Sequence, residues 1–192
     1  MTSYDTSSPN RRAIFKGGAV LSLTGLSLIS AGCSYNEAQA SSDQTAQDIN
    51  ILNAAISLEH EGIAAYQIAA TSGLLSKAVI QVGVTFQGHH KEHRDVLIKA
   101  VEALGGSPAK EKSEADYIQS LNVASLKNQD DVLRLALKLE QGAANAYLGL
   151  IPSLGNDYHQ VAAKMAGDEA YHAAILSNTL GLPIPKAALI FG

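Results

Sequence analysis

The chain contains the same pattern twice: a glutamate within an apolar helical stretch, and a cluster of histidines and acids on the helix that follows. Leu58–Tyr66 and Leu139–Tyr147 each hold a Glu and, seven residues later, a Tyr. The polar clusters that follow them are His89–His93 and Asp168–His172. A Glu on one helix and a Glu-x-x-His on the next, present twice, is how a four-helix bundle builds a carboxylate site for two metal ions. The pattern therefore predicts such a bundle, with His90 standing where the first half would need its second Glu.

Apolar residues recur with helical periodicity in four stretches, at about residues 45–71, 76–104, 129–150 and 157–179. Segments containing Gly and Pro separate them. The charged segment 109–128 has weaker periodicity, and we expect it to return the chain to the far end of the bundle with a short helix of its own. The chain has no Trp and only three Phe, which favours a helical domain over a sandwich or barrel. The predicted fold is an all-α four-helix bundle with a long crossover between helices 2 and 3.

Side chains that can ligate a metal interrupt the apolar stripe on every predicted helix. These candidate ligands are Glu59, His90, His93, Glu140, Glu169 and His172. On the second helix His90 and His93 lie on the stripe, whereas Glu92 is rotated about 100° from it. Each buried, unpaired carboxylate would cost several kcal/mol, and divalent cations would offset that cost. The alternative is that the glutamates are solvated, or paired with His and Lys, without a metal.

Several polar residues next to these candidates have two interpretations. His89 and Asp168 precede the ligand pairs, and they either orient a ligand imidazole or are merely solvated. Tyr66 and Tyr147 are interpreted as core aromatics, with hydrogen-bond donation to a bound oxidant as the alternative. A further set falls beside the stripes and is assigned to the surface or to the surroundings of the ligands: His60, Glu61, Glu92 and His159.

The amino-terminal segment has the order of an export signal. Asn10–Lys16 resembles the twin-arginine motif, and the weakly apolar stretch Gly17–Gly32 is too short and too polar for a membrane-spanning helix. Ala38–Ala40 offers a small-x-small cleavage site. We therefore predict a cleaved signal peptide at residues 1–40, a bundle domain at 41–192 and a periplasmic or extracytoplasmic location.

The single cysteine, Cys33, lies in a sequence that resembles a lipoprotein processing box. Ser30, three places before it, is not the Leu-like residue that such a box carries. Cleavage after Ala40 is accordingly preferred to lipid attachment at Cys33. The mature chain would then contain no cysteine, which excludes disulfides and thiol chemistry.

The region from Asp48 to Leu182 resembles the ferritin-like superfamily, especially the rubrerythrin-related bundle domains of exported bacterial proteins. Asp168–His172 with the upstream Glu140 carries the resemblance. Besides these residues, it implies that Glu59 and His93 are ligands, and it makes His90 a departure from the family pattern. Replacing a carboxylate by an imidazole is expected to weaken a second metal, raise the redox potential or favour a single ion. There is no Cys-x-x-Cys, so the iron–sulfur module that accompanies rubrerythrins is missing.

The expected function is that of an exported metal-binding protein with an oxidoreductase-type site, holding one or two ions and acting on oxygen, peroxide or Fe²⁺ like a ferroxidase or peroxidase. Iron is the expected metal, with manganese and zinc as alternatives. The competing hypothesis is a non-catalytic, stress-protective or binding bundle of the envelope with a structural metal or none.

The expected partners are metal ions, a small oxidant and the twin-arginine export machinery. A homo-oligomer or an envelope protein partner, contacted through the apolar tail Ala187–Phe191, is a further hypothesis. The net charge of −4 and the lack of a basic cluster in the body of the chain argue against nucleic acid.

Overall fold

Five α-helices form the part of the chain that the computed structural model describes, residues 29–192, with side chains from residue 39 onward. In chain order they are α1 (Ile29–Thr71), α2 (Lys77–Ala103), α3 (Glu114–Ser120), α4 (Gln129–Leu150) and α5 (Asn156–Thr179). Short 3-10 turns at Val123–Ser125 and Ile151–Ser153 follow α3 and α4. The twin-arginine motif and the Cys33 side chain lie outside the described residues, and the predicted cleavage point after Ala40 falls within α1.

Helix α1 begins at Ile29 rather than near residue 45, where the apolar periodicity starts. Most side chains between residues 39 and 47 are exposed, so this part of the helix has no apolar face for a periodicity argument to detect. Ala and Gln, which favour helix, are frequent there. Although α1 has 43 residues, none of the helices within residues 29–192 combines the length and apolar character required to cross a membrane.

The starts of α4 and α5 are fixed by different caps. Asn128 precedes α4, and its side chain accepts the N–H of Asp131 at 3.0 Å, as in an ordinary N-cap. Gly155 precedes α5 and has no side chain for this role. Instead Asp48 of α1 accepts the Gly155 N–H at 2.8 Å. The carboxylate therefore caps α5 from a neighbouring helix and fixes its beginning against α1.

The contacts between helix ends give the topology. Tyr66, late in α1, packs against Gly83, early in α2, so these two helices are antiparallel. Ser76, just before α2, donates its N–H to the side chain of Gln129 at the start of α4 (2.9 Å). Because α2 and α4 begin at the same end, the segment 104–128 must run back along the bundle. This long crossover, with α3 as its short helix, confirms the sequence prediction.

Two apolar clusters lie on either side of a polar layer. One contains residues of all four long helices, including Leu52, Leu97, Tyr147 and Met165. The other, towards the opposite end of the bundle, contains Phe86, Leu133, Leu137, Ala173 and Leu176. Burying such a side chain contributes roughly 1.5–3 kcal/mol. The clusters therefore stabilise the bundle on both sides of the polar layer.

Candidate metal centre

The six predicted ligands meet in the polar layer at the middle of the bundle. Their relative exposures to solvent are 1% for Glu59, 4% for His90, 7% for His93, 2% for Glu140, and 0% for Glu169 and His172. Each long helix contributes at least one of them because each ligand lies in phase with the apolar residues of its helix. The structure thus brings together the whole predicted set.

The ligand atoms form two overlapping groups with the composition that a metal ion requires. One group is Glu59, His90, His93 and Glu169, and the other is His90, Glu140, Glu169 and His172. Within each group the potential ligand atoms lie within 4.8 Å of one another. His90 and Glu169 belong to both groups, so any two ions in this layer would have to share these residues.

His90 lies between the carboxylates of α1 and α4. Its Nδ1 is 2.7 Å from Glu59 Oε2, and its Nε2 is 3.3 Å from Glu140 Oε1. Nδ1 also lies 3.6 Å from Glu169 Oε1. The ring that replaces the expected carboxylate therefore connects the two glutamates of the repeated pattern, with one nitrogen facing each of them.

The other two histidines, His93 and His172, are each oriented by a polar side chain outside the cluster, on α5 and α2 respectively. His93 Nδ1 lies 3.1 Å from Glu169 Oε1, while its Nε2 lies 3.2 Å from Asp168 Oδ2. His172 Nδ1 lies 3.2 Å from Glu169 Oε2, and its Nε2 lies 2.9 Å from His89 Nδ1. In each ring one nitrogen faces the cluster and the other has a partner outside it, the arrangement that fixes tautomer and ring orientation in metal sites.

Two tyrosines hold the glutamates of α1 and α4 in a crosswise arrangement. Tyr147 of α4 donates its hydroxyl hydrogen bond to Glu59 of α1. Tyr66 of α1 donates to Glu140 of α4. Burial, with the charge of the neighbouring glutamate, raises the pKa of both hydroxyls well above the usual value, so both remain donors.

Close packing fixes the remaining faces of the rings. Phe86 stacks on His172 with a centroid distance of 4.1 Å and an interplanar angle of 23°. On α1, Gly62 faces His90, and a Cβ added there would lie 3.0 Å from Cε1 and from Nδ1 of the ring. A glycine at position 62 therefore allows the imidazole to lie against the backbone of α1.

Mutual attraction sets the charge state of the cluster. Burial raises the pKa of Glu59 and Glu140, but hydrogen bonds with the histidines outweigh it, and both pKa values lie below the usual range. For Glu169 burial dominates and raises the pKa. Burial lowers the pKa of His90, yet hydrogen bonds to Glu140 and Glu59 raise it to about 11; in the same way Glu169 and Glu59 raise the pKa of His93 to about 10. The histidines are therefore the counter-charges of the carboxylates.

The donor set fits a transition metal. Between residues 39 and 192, every ion pair made by the three carboxylates is with a histidine, and none is with Lys or Arg. Imidazole nitrogens can exchange a proton for a metal ion, which Lys and Arg at neutral pH cannot readily do. Carboxylate and imidazole donors in this ratio suit iron, manganese or zinc.

A comparison with protein families agrees with the geometry. Residues 47–182 match the sequence profile described as the ferritin-like domain. The chain belongs to this family. The match covers all four long helices of the bundle, from within α1 to just beyond α5, and the six clustered residues lie inside it.

The ferritin-like fold is also found in a solved structure. A conserved hypothetical protein from Mycobacterium tuberculosis superposes with a TM-score of 0.61 at 23% sequence identity, and the alignment covers 75% of this chain and 98% of that one. At this identity the likeness concerns the fold alone. No curated protein sequence matches the chain significantly.

Some features of this ferritin-like centre were missed or misplaced by sequence reasoning. His60, assigned beside the stripe, is in fact buried, and its Nε2 lies 3.3 Å from the carbonyl of Ala109 in the crossover. The reason is that the crossover covers this side of α1. The roles of Tyr66 and Tyr147 as donors to the glutamates were not predicted. Gly62 was also overlooked, although a glycine inside a helix, which costs about 1 kcal/mol relative to Ala, is a signal of close packing.

Proposed function

We propose that this chain is an exported, ferritin-like metal-binding protein whose central cluster supports oxidoreductase chemistry. The observation that carries the proposal is the convergence of three carboxylates and three imidazoles, each at most 7% exposed, between two apolar clusters. Perturbed, buried titratable groups of this kind concentrate at functional sites. The ligands would be Glu59, His90, His93, Glu140, Glu169 and His172.

Iron is the proposed metal, with manganese or zinc as alternatives. A bound redox ion would supply electron transfer to oxygen or peroxide. Fe²⁺ itself is the alternative substrate. The protein's own contribution is positioning. Asp168 and His89 hold His93 and His172 with one ring nitrogen inward, and the tyrosines hold one oxygen of Glu59 and of Glu140. Such partners typically affect metal affinity or activity 10–100-fold.

The rubrerythrin-related character belongs to the same proposal. Glu140, Glu169 and His172 follow that pattern, whereas His90 departs from it and lowers the negative charge available to two divalent ions. The proposed location is periplasmic or extracytoplasmic, reached through the twin-arginine machinery by the signal at residues 1–40. Lipid attachment at Cys33 is the alternative to cleavage after Ala40.

The decisive experiment is metal analysis of the purified protein after reconstitution with iron, manganese or zinc. We expect at least about one equivalent per chain, and a large loss in Glu169→Ala, which belongs to both ligand groups. A matched control is Glu92→Ala, because Glu92 is exposed on α2. Less than about a tenth of an equivalent in the parent protein would refute the metal-binding proposal.

A second candidate is a non-catalytic envelope bundle, and one observation favours it. The cluster satisfies itself: within residues 39–192 the only fully buried side-chain polar atom without a hydrogen bond is Nδ1 of His60, which is not in the cluster. Three histidines balance three carboxylates without outside help. Turnover of peroxide or Fe²⁺ by the metal-loaded protein, well above that of the His93→Ala variant, would exclude this candidate.

A further inference from the structure

A cavity of about 70 Å³, partly open to solvent, lies between α1, α4 and the crossover, directly beside the ligand cluster. Tyr66, His90 and Glu140 form its inner wall. Most of the remaining lining is apolar and includes Leu58, Ile68, Leu121, Leu126, Leu135 and Leu139. The other polar side chains in the lining are those of Glu61, which is half-buried, and Ser72, which is exposed, and they mark the solvent side.

Small residues leave this space open. The lining contains Ala65, Ala69, Ala136 and Ala143, at positions on α1 and α4 where a leucine would fill the gap. Protein interiors are normally close-packed, and voids larger than a water molecule are few. One water molecule needs about 10–15 Å³ of such space. The cavity can therefore hold a molecule several times larger than water.

The chemistry of the inner wall determines what the cavity can bind. The Tyr66 hydroxyl is engaged with Glu140, and the two ring nitrogens of His90 face Glu59 and Glu140. The cluster thus offers no free donor to a molecule in the cavity. The oxygens of Glu140 already accept hydrogen bonds from Tyr66, His90 and His172. An anion, or another molecule that only accepts hydrogen bonds, would therefore lose those it makes with water, whereas an apolar molecule has none to lose.

On the opposite side of the bundle, the approach to the cluster is polar rather than apolar. Between α2 and α5 an open groove of about 340 Å³ reaches His93 and is lined by His89, Glu92, Lys164 and Asp168. Ions and polar molecules therefore have a polar approach to the cluster that does not pass through the apolar cavity.

We infer that the cavity beneath the crossover is a binding site for a small, uncharged, apolar molecule held against Tyr66, His90 and Glu140. Binding follows from the cavity itself. That the bound molecule is a reactant of the centre rests on the proposed function.

The test is xenon binding to the full chain after treatment with a chelator, measured in pressurised crystals or by ¹²⁹Xe NMR. We expect one xenon in this cavity and a loss of occupancy of about tenfold or more in Ala65→Leu, which fills it. The control Val79→Phe fills an adjoining apolar cavity of about 240 Å³ at the end of the bundle, which shares Tyr66 and Ala69 with the first but is lined by Val79 and not by Ala65. This variant should leave the xenon in place.

A second variant tests the same cavity in case Ala65→Leu does not fold. Leu135→Ala enlarges the same cavity, and we expect it to bind a larger apolar probe such as benzene more tightly than the parent chain does. Ordered water in the cavity of the parent chain, xenon confined to the bundle-end cavity, or occupancy unchanged in both variants would overturn the inference. Because no metal is needed, these outcomes are independent of metal binding, on which the proposed function depends.

Discussion

Gly62 of α1 lies against the imidazole of His90 of α2, and a Cβ on Gly62 would be 3.0 Å from two atoms of the ring. The ring cannot retreat freely because its nitrogens are held by Glu59 and Glu140. The position of one histidine in the cluster is therefore fixed by the absence of a side chain on the neighbouring helix.

Replacing Gly62 by Ala should move His90 and weaken metal binding roughly tenfold, the lower end of what losing an orienting contact costs. Stability should fall by at most about 2 kcal/mol, because overpacking costs about 1–3 kcal/mol and replacing a helical Gly by Ala gains about 1 kcal/mol. The measurements are calorimetric metal titration and urea unfolding.

The matched control is Gly142→Ala, since Gly142 lies within α4 and a Cβ there meets nothing within 4 Å. This variant should be more stable by about 0.5–1 kcal/mol and should bind metal like the parent chain. Equal metal affinities of the two glycine variants would show that the contact with His90 has no influence on the site.

The identity of residue 90 should determine how many ions bind. A neutral imidazole offers one lone pair, so His90 can serve one of the two ligand groups at a time. We expect about one equivalent of metal in the parent chain and about two in His90→Glu, which supplies the fourth carboxylate of a two-metal bundle site. His90→Gln, of similar size but neutral, should not gain the second ion. Two tightly bound equivalents in the parent chain would contradict this expectation.

The chelator-treated protein should lose stability as the pH rises. The pKa of His90 is raised from 6.5 to about 11 and that of His93 to about 10. A raised pKa means that the imidazolium stabilises the fold, fully below pH 6.5, and that this contribution disappears as the pH passes the folded-state pKa values. Urea unfolding between pH 6 and 10 should show the decline, and His90→Gln should show a shallower one.

Metal affinity should change with pH in the opposite direction, because an ion must displace the proton on each ligand nitrogen. Competition with a chelator of known affinity at several pH values provides this measurement. An affinity that does not vary with pH would mean that the histidines are already neutral when the metal arrives.

Removing a tyrosine hydroxyl should destabilise the fold, more at position 147 than at 66. Tyr147 is 2% exposed, whereas Tyr66 is only partly buried. Loss of a buried hydrogen bond to a charged group costs about 1.5–3 kcal/mol, and water can replace it more readily near Tyr66. The free energies of unfolding of Tyr147→Phe and Tyr66→Phe should therefore differ, and a larger loss in Tyr66→Phe would contradict the burial argument.

The cap that α1 provides for α5 should be sensitive to changes on either side. Asp48→Ala removes the acceptor of the Gly155 N–H, and a lost cap typically costs about 1 kcal/mol. Gly155→Ala would place a Cβ 2.7 Å from Asp48 Oδ2, so it should destabilise as well. Gly167→Ala is the control, since nothing lies within 4 Å of a Cβ there. Thermal unfolding of the three variants tests this relationship.

The sequence predicted the features that depend on periodicity along one helix. The helix predicted at about residues 129–150 from apolar periodicity matches α4, Gln129–Leu150, and the six ligands follow from their phase with apolar neighbours. It did not predict partners on other helices. Spacing fixes the face of a helix on which a residue lies, but the burial of His60 and the pairing of Tyr66 with Glu140 depend on which segment packs against that face.

The crosswise tyrosines have a mechanical consequence for the bundle. Because Tyr147 reaches from α4 to α1 and Tyr66 reaches from α1 to α4, sliding one helix past the other in either direction separates both pairs together. A slip of one turn, about 5.4 Å, would exceed the reach of any hydrogen bond. The two pairs therefore set the register of α1 against α4 at the level of the cluster itself.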